Sequence, residues 1–97
     1  MAAKNPLRHI VLFSSKHPDN IERMIEGLLM LKDIPFASHF EVSRNRNDDR
    51  YSNEVDVIVY AEFPDADALA AYRAHPIYEQ CVAIVRPLRE MRVAADF

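Results

Sequence analysis

Hydrophobic and polar residues alternate with two different periods along this chain, and the changes of period predict its secondary structure. A short apolar run rich in β-branched residues predicts a strand over residues 7–13. Apolar residues recur at mostly alternate positions over residues 36–42, 55–63 and 91–97, which predicts three more strands. The chain is therefore expected to form a sheet of four strands.

A first helix is predicted between the first and second strands. Pro18 suits the first turn of a helix, and Asp19 followed three residues later by Glu22 resembles a capping box. Its apolar stripe repeats with helical spacing and consists of Ile21, Met24, Ile25, Leu28 and Leu31. Pro35 ends the pattern, because proline cannot continue a helix. The stripe indicates that this helix packs against the sheet.

The second half of the chain repeats this scheme. Residues 43–54 are polar and predict a mobile connection between the second and third strands. Asp65 is a suitable N-cap for a helix over residues 66–74, and Pro76 begins another short helical piece. The order β-α-β-β-α-β is the ferredoxin-like arrangement, an α+β fold. Both helices then cover one face of an antiparallel four-stranded sheet with strand order 4-1-3-2.

The two central strands of that sheet are apolar on both faces. The residues expected to face the helices are Val11, Phe13, Val57 and Val59, and those on the opposite face are Ile10, Leu12, Ile58 and Tyr60. Burying such a side chain contributes about 1.5–3 kcal/mol. We therefore expect the second group to form a homodimer interface, with two sheets closing a dimeric α/β barrel. The alternative is that these four residues are tolerated at the surface, since folded proteins do expose apolar area.

Composition narrows the classes of partner and ligand. The chain has 97 residues, which suits a single domain over 1–97, and its net charge of −3 comes from interspersed charges. Such a pattern argues against nucleic-acid binding. No apolar run approaches the roughly 20 residues that span a bilayer, so neither a membrane span nor a signal peptide is expected and the protein is expected in the cytoplasm. Gly27 is the only glycine, which excludes a glycine-rich phosphate loop, and no cofactor is expected.

The cysteine and histidine positions indicate no metal or redox site. Cys81 is the only cysteine, so no intrachain disulfide is possible, and its apolar neighbours indicate an inert core thiol. The four histidines His9, His17, His39 and His75 show no spacing typical of metal ligands. No metal is therefore expected.

Several segments resemble the stress-responsive A/B barrel (Dabb) family. They are HIVLF at the start, VDVIVYAEF with the following PDADALAAYRAHPIYEQC, and the closing VRPLREMRVAADF. The most specific parts are the Y-x-x-H-P segment at residues 72–76 and the aspartate-aromatic ending Asp96-Phe97. The resemblance covers nearly the whole chain and implies a dimeric barrel. Most members of the family have no assigned activity, but one plant branch, of the olivetolic acid cyclase type, closes a polyketide chain by aldol condensation without a cofactor.

Three residues are candidates for acid-base chemistry. His9 alternates with Val11 and should face the helices, where desolvation favours the neutral imidazole. The alternative is a hydrogen-bonded core histidine. Tyr72 should pack inward with a hydroxyl that needs a partner, and the resemblance implies that the matching tyrosine lines the pocket of the cyclases. Tyr78 stands where the cyclase branch has its acid-base histidine. Because a phenol with a pKa near 10 is a poor general base, that mechanism does not transfer intact.

Three hypotheses about function remain open. The first is a homodimer that binds a small apolar or aromatic molecule between sheet and helices, with a pocket formed by His9, Val11, Phe13, Met24, Val57, Val59, Tyr72, His75 and Tyr78. The second is a cofactor-independent enzyme of the polyketide cyclase or aldol type that uses His9 with Tyr72 or Tyr78. The third is a structural dimer without a ligand, which a filled core would favour.

Overall fold

The computed structural model describes residues 5–51 and 54–97. The strands in these ranges are β1 (Leu7–Ser15), β2 (His39–Arg44), β3 (Val57–Phe63) and β4 (Arg89–Asp96). The helices are α1 (Ile21–Leu29), α2 (Ala66–Ala74) and α3 (Pro76–Val85), and two short 3-10 turns, Pro18–Asn20 and Met30–Asp33, flank α1. No helix of the described ranges is long and apolar enough to cross a membrane.

The four strands form one antiparallel sheet in the order β2-β3-β1-β4. This order is the predicted 4-1-3-2 arrangement read from the other edge, so the α+β ferredoxin-like fold is confirmed. Because β1 lies between β3 and β4, its residues contact both neighbours. His9 pairs with Ala61 on one side and with Asp96 on the other.

The start of α1 differs from the prediction. Asp19 lies inside the 3-10 turn that precedes α1, and Asn20 at the N-cap position makes no side-chain capping bond. The predicted capping box is therefore wrong, because the helix begins two residues after Asp19. Glu22 instead accepts a hydrogen bond at 2.9 Å from Arg44 at the end of β2.

The second strand is displaced along the chain relative to its predicted position. It begins at His39, and the preceding Ser38 is tied to Glu62 through its backbone N–H. Phe36 lies outside the strand and its ring packs edge-on against His75, with 6.3 Å between the ring centres. Ser43 and Arg44, predicted within the polar connection, extend β2. Ser52 and Asn53 of that connection lie outside the described residues.

The pleat of the central strands separates two faces of the sheet. Val11, Phe13, Val57 and Val59 face the helices, and each is at most 4% exposed. Ile10, Leu12, Ile58 and Tyr60 face away from the helices and are only half-buried. One face of the sheet is thus covered within a single chain, and the other is not.

Two of the helices that cover the sheet, α1 and α3, approach each other closely. Gly27 of α1 lies against α3, and a Cβ atom at this position would be 3.0 Å from Cγ2 of Ile84 and 3.2 Å from Cγ2 of Val85. The start of each later helix is tied by a side chain. Asp65 accepts a hydrogen bond from the N–H of Ala68, and the His75 ring nitrogen accepts one from Ile77.

Gly27→Val is expected to lower the free energy of unfolding by about 1–3 kcal/mol, because a Cβ atom and two methyl groups must enter a contact that is already tight. The matched control is Ala70→Val on the exposed surface of α2, where the loss should stay below about 0.7 kcal/mol. Urea denaturation followed by circular dichroism measures both. Equal losses at the two positions would show that the α1–α3 contact tolerates a side chain.

Candidate functional site

A cavity lies between the helix-facing side of the sheet and the helices. Its volume is about 30 Å³, and its wall is formed by His9, Val11, Phe13, Leu28, Leu31, Val59, Tyr72, Tyr78, Cys81, Val82, Val85, Arg89 and Arg92. A space of this size holds about two water molecules. The lining is apolar in the middle and carries polar groups at its ends, which is the usual composition of a small-molecule site.

A buried histidine and a carboxylate from the C-terminal strand meet at one end of the cavity. His9 is 1% exposed, and its Nδ1 lies 2.5 Å from Oδ1 of Asp96. The pair forms because β1 and β4 place these two residues directly opposite each other on the helix-facing side. The second carboxylate oxygen of Asp96 is 3.5 Å from the guanidinium of Arg73 on α2.

This contact orients the imidazole of His9. An ionised carboxylate can only accept hydrogen bonds, so Nδ1 carries the proton and donates it to Asp96. Among the described residues, Nε2 has no hydrogen-bond partner and keeps some contact with open space. Since His9 lines the cavity, Nε2 is free to accept or donate a proton there.

Two tyrosines stand beside His9. Tyr72 is 1% exposed, and its ring packs edge-on against Phe63 at 5.0 Å and against Tyr78 at 5.3 Å between ring centres. Its ring centre is 6.5 Å from that of His9. Burial raises the pKa of the Tyr72 hydroxyl well above its usual value, with a smaller contribution from Tyr78. Tyr72 therefore stays protonated and can serve as a hydrogen-bond donor.

Two arginines of β4 line the cavity away from the His9 end. Arg89 begins β4, and Arg92 pairs with Phe13 of β1, four residues from His9. Burial lowers the pKa of Arg89, and the positive charges of Arg92 and Arg86 lower it further. The cavity is thus bordered by cations at one end and by imidazole and phenol groups at the other.

The structure places six of the nine predicted pocket residues on the cavity wall. They are His9, Val11, Phe13, Val59, Tyr72 and Tyr78. Met24 and Val57 do not line it and are packed into the surrounding core. His75 also lies off the wall, since its side chain caps α3 and borders an outer groove with Arg73 and Glu79.

Cys81 forms part of the cavity wall, but its thiol is a poor nucleophile. It is 3% exposed, and burial raises the pKa of its thiol to about 11. Thiolate is the nucleophilic form of cysteine, and little of it exists near neutral pH at such a pKa. Within residues 5–51 and 54–97, no group of three or more histidine, cysteine, aspartate and glutamate side chains could hold a metal ion.

Asp96, Arg89 and Arg92 are site residues that the sequence reasoning did not identify. The sequence does indicate which face of the last strand Asp96 occupies. Val93 and Ala95 share one face, so Asp96 lies on the other. With β4 beside β1, that parity places Asp96 on the same side as His9. The register that brings the two side chains together is visible only in the structure.

Comparisons with known proteins agree with this architecture. A ferredoxin-like protein of unknown function from Thermobifida fusca, described as dimeric, is 29% identical, with 95% of this chain and 89% of that chain covered and a TM-score of 0.81. A ferredoxin-like protein of unknown function from Jannaschia sp., also described as dimeric, is 20% identical, with 96% and 98% covered and a TM-score of 0.84. A Dabb family protein from Mesorhizobium loti with a ferredoxin-like fold is 24% identical, with 97% and 96% covered and a TM-score of 0.80.

The family of this chain is established by its match to a protein-family model. No match was found among curated proteins. The sequence model of the stress responsive A/B barrel domain family matches residues 7–97. This range includes the four strands and the three helices of the described residues. The chain therefore belongs to the stress responsive A/B barrel (Dabb) family.

Proposed function

We propose that this Dabb protein binds a small apolar or aromatic molecule in the cavity between sheet and helices, and that it does so as a homodimer. The observation that carries the first part is that two residues with an unpartnered polar atom line an apolar cavity. Among the described residues, neither Nε2 of His9 nor the hydroxyl of Tyr72 has a hydrogen-bond partner. Both atoms keep some contact with open space, so both are suited to hold a ligand.

The size of the cavity limits how a ligand enters. A volume of about 30 Å³ is smaller than an aromatic ring needs, so side chains at the mouth must move. Tyr78, Val82 and Arg89 are only half-buried and can rotate outward, whereas Val11 and Val59 are held in the sheet. We expect the ligand to enter beneath α3 and to place its polar group against His9 and Tyr72.

Val82→Phe is expected to fill the cavity and to lower the affinity for phenol and for acetophenone at least tenfold. Ala83→Phe is the matched control, because Ala83 is the exposed neighbour on α3 and its substitution leaves the cavity unchanged. Titration of both variants and of the native protein, followed by ¹⁵N NMR shifts of the cavity residues, measures the affinities. If neither probe shifts these residues in the native protein, the hypothesis of a dimer without a ligand replaces this proposal.

The second part of the proposal concerns the outer face of the sheet. Ile10, Leu12, Ile58 and Tyr60 are half-buried there. The register extends the face across β4, where Val93 opposite Leu12 is 52% exposed and Phe97 is 55% exposed. Contiguous exposed apolar area of this kind marks an interaction surface. The similar protein from Thermobifida fusca is described as dimeric, which supports a second copy of this chain as the partner.

Leu12→Glu is expected to convert the dimer into a monomer. Leu12 lies between Ile58 and Val93 in the register, so a carboxylate there would be desolvated at the centre of the interface. Analytical ultracentrifugation at micromolar concentration should give twice the mass of one chain for the native protein. It should give the mass of one chain for the variant. Ala70→Glu on the exposed side of α2 should remain dimeric. A native protein that sediments as a monomer would refute the dimer.

A second candidate function is cofactor-independent acid-base catalysis, and the contact between His9 and Asp96 favours it. A carboxylate that holds Nδ1–H leaves the other nitrogen, Nε2, in the form that accepts a proton. The protonated hydroxyl of Tyr72 could donate a hydrogen bond to a carbonyl oxygen as a neighbouring carbon loses its proton. Tyr78 packs on Tyr72, and it occupies the position where the resemblance to the cyclase branch implies a histidine. The base in this proposal is therefore His9.

Asp96→Asn is expected to slow proton abstraction by His9 at least tenfold. The Nδ1–H group of His9 would then donate to a neutral amide oxygen, which is a weaker acceptor than the carboxylate. The measurement is hydrogen–deuterium exchange at the carbon between the carbonyl groups of ethyl acetoacetate, followed by NMR in D₂O. Asp65→Asn is the control, since asparagine caps α2 as well as aspartate does. Equal rates for the two variants would exclude this role for Asp96.

A further inference from the structure

Three arginines gather where α3 passes into β4. Arg86 follows the last turn of α3, Arg89 begins β4, and Arg92 lies three residues further along the strand. Arg89 and Arg92 line the cavity. Arg86 borders the outer groove, which shares Tyr78 and Val82 with the cavity wall. The arginine cluster, defined as Arg86, Arg89 and Arg92, thus stands at the junction of cavity and groove.

No acidic side chain neutralises this cluster in the part of the chain that the structure describes. Arg44, Arg46 and Arg73 each pair with a carboxylate, whereas none of the ion pairs found there involves a cluster arginine. Glu79 borders the same groove without pairing with them. Partial burial lowers the pKa of Arg89, and the positive charges of Arg92 and Arg86 lower it further. Grouping three cations in this way costs free energy that a bound anion would recover.

The distance between the two ends of the cavity defines the shape of the ligand. Arg92 pairs with Phe13 and Asp96 pairs with His9, so the two ends are four residues apart along the strands. At about 3.4 Å per residue, this corresponds to roughly 14 Å between backbone positions, and less between side chains that converge on the cavity. The wall between the ends is apolar and includes Val11 and Val59.

We propose that the cavity takes a small carboxylic acid, with its carboxylate on Arg89 and Arg92, its apolar body along β1 and β3, and its far end toward His9 and Tyr72. This inference rests on the proposed ligand-binding function and names the ligand class of the same site. Guanidinium groups match the two oxygens of a carboxylate by paired hydrogen bonds. Arg86 adds a longer-range positive field at the entrance, which attracts an anion from solution.

The test compares three probes that share one body: 3-phenylpropionate, its neutral analogue 3-phenylpropionamide, and 2-phenylethyl phosphate. Isothermal titration of the native protein should show at least tenfold tighter binding of the acid than of the amide. This preference should shrink as salt is raised, because salt screens the attraction. In Arg89→Gln and Arg92→Gln the acid should lose at least fivefold in affinity while the amide loses little. Arg23→Gln, on the exposed side of α1, is the matched control and should bind like the native protein.

The outcomes separate this inference from the proposed function. If the amide binds as tightly as the acid and the two arginine variants change neither, the carboxylate site is refuted while ligand binding in the cavity stands. If the phosphate binds tenfold tighter than the acid, the assignment to carboxylic acids is also refuted. If none of the three probes binds and Val82→Phe has no effect on phenol or acetophenone, the proposed function itself fails. Thermal unfolding of each variant verifies that the fold persists.

Discussion

The position of β1 between β3 and β4 is the constraint on which the rest of this structure depends. Residues 9–13 of β1 pair with both neighbours, so the alternation of their side chains sets the register of the whole sheet. A shift of one residue would turn Val11 and Phe13 outward and bring Ile10 and Leu12 beneath the helices. It would also separate His9 from Asp96. The core, the outer face and the polar end of the cavity therefore share a single origin.

The same register places groups of opposite charge near the two ends of the cavity. Burying His9 would be costly without a partner, and the carboxylate of Asp96 supplies one from the adjacent strand. Four residues earlier on β4, Arg92 faces the same side and is left without a carboxylate. Alternation thus places the negative charge of Asp96 on His9 at one end of β4 and the positive charge of Arg92 on the cavity wall toward the other end. A ligand with an anionic end and a polar end matches that order of charges.

The proposed functions follow from which groups lack partners. His9 and Tyr72 each have an atom that no described side chain satisfies, and the arginine cluster has no counter-charge there. Binding a ligand and moving its proton both make use of these groups. The catalytic hypothesis requires His9 to act as the base, because a phenol is a poor general base near neutral pH. Ligand binding has no such requirement, which is why it is the function the geometry supports best.

By itself, the sequence determined the order of elements and the two faces of the central strands. Both are local properties, since the period of the hydrophobic pattern and the positions of proline and aspartate act within a few residues. It did not determine where β2 begins or how α1 is capped, because Ser38 and Glu22 bond to residues distant in the chain. The predicted pocket included Met24 and Val57 because helical spacing and strand parity show which face a residue occupies and carry no information about depth. Only the tertiary structure brought Asp96 to His9 and set Arg89 and Arg92 against the cavity, since strand register depends on contacts between segments more than 70 residues apart.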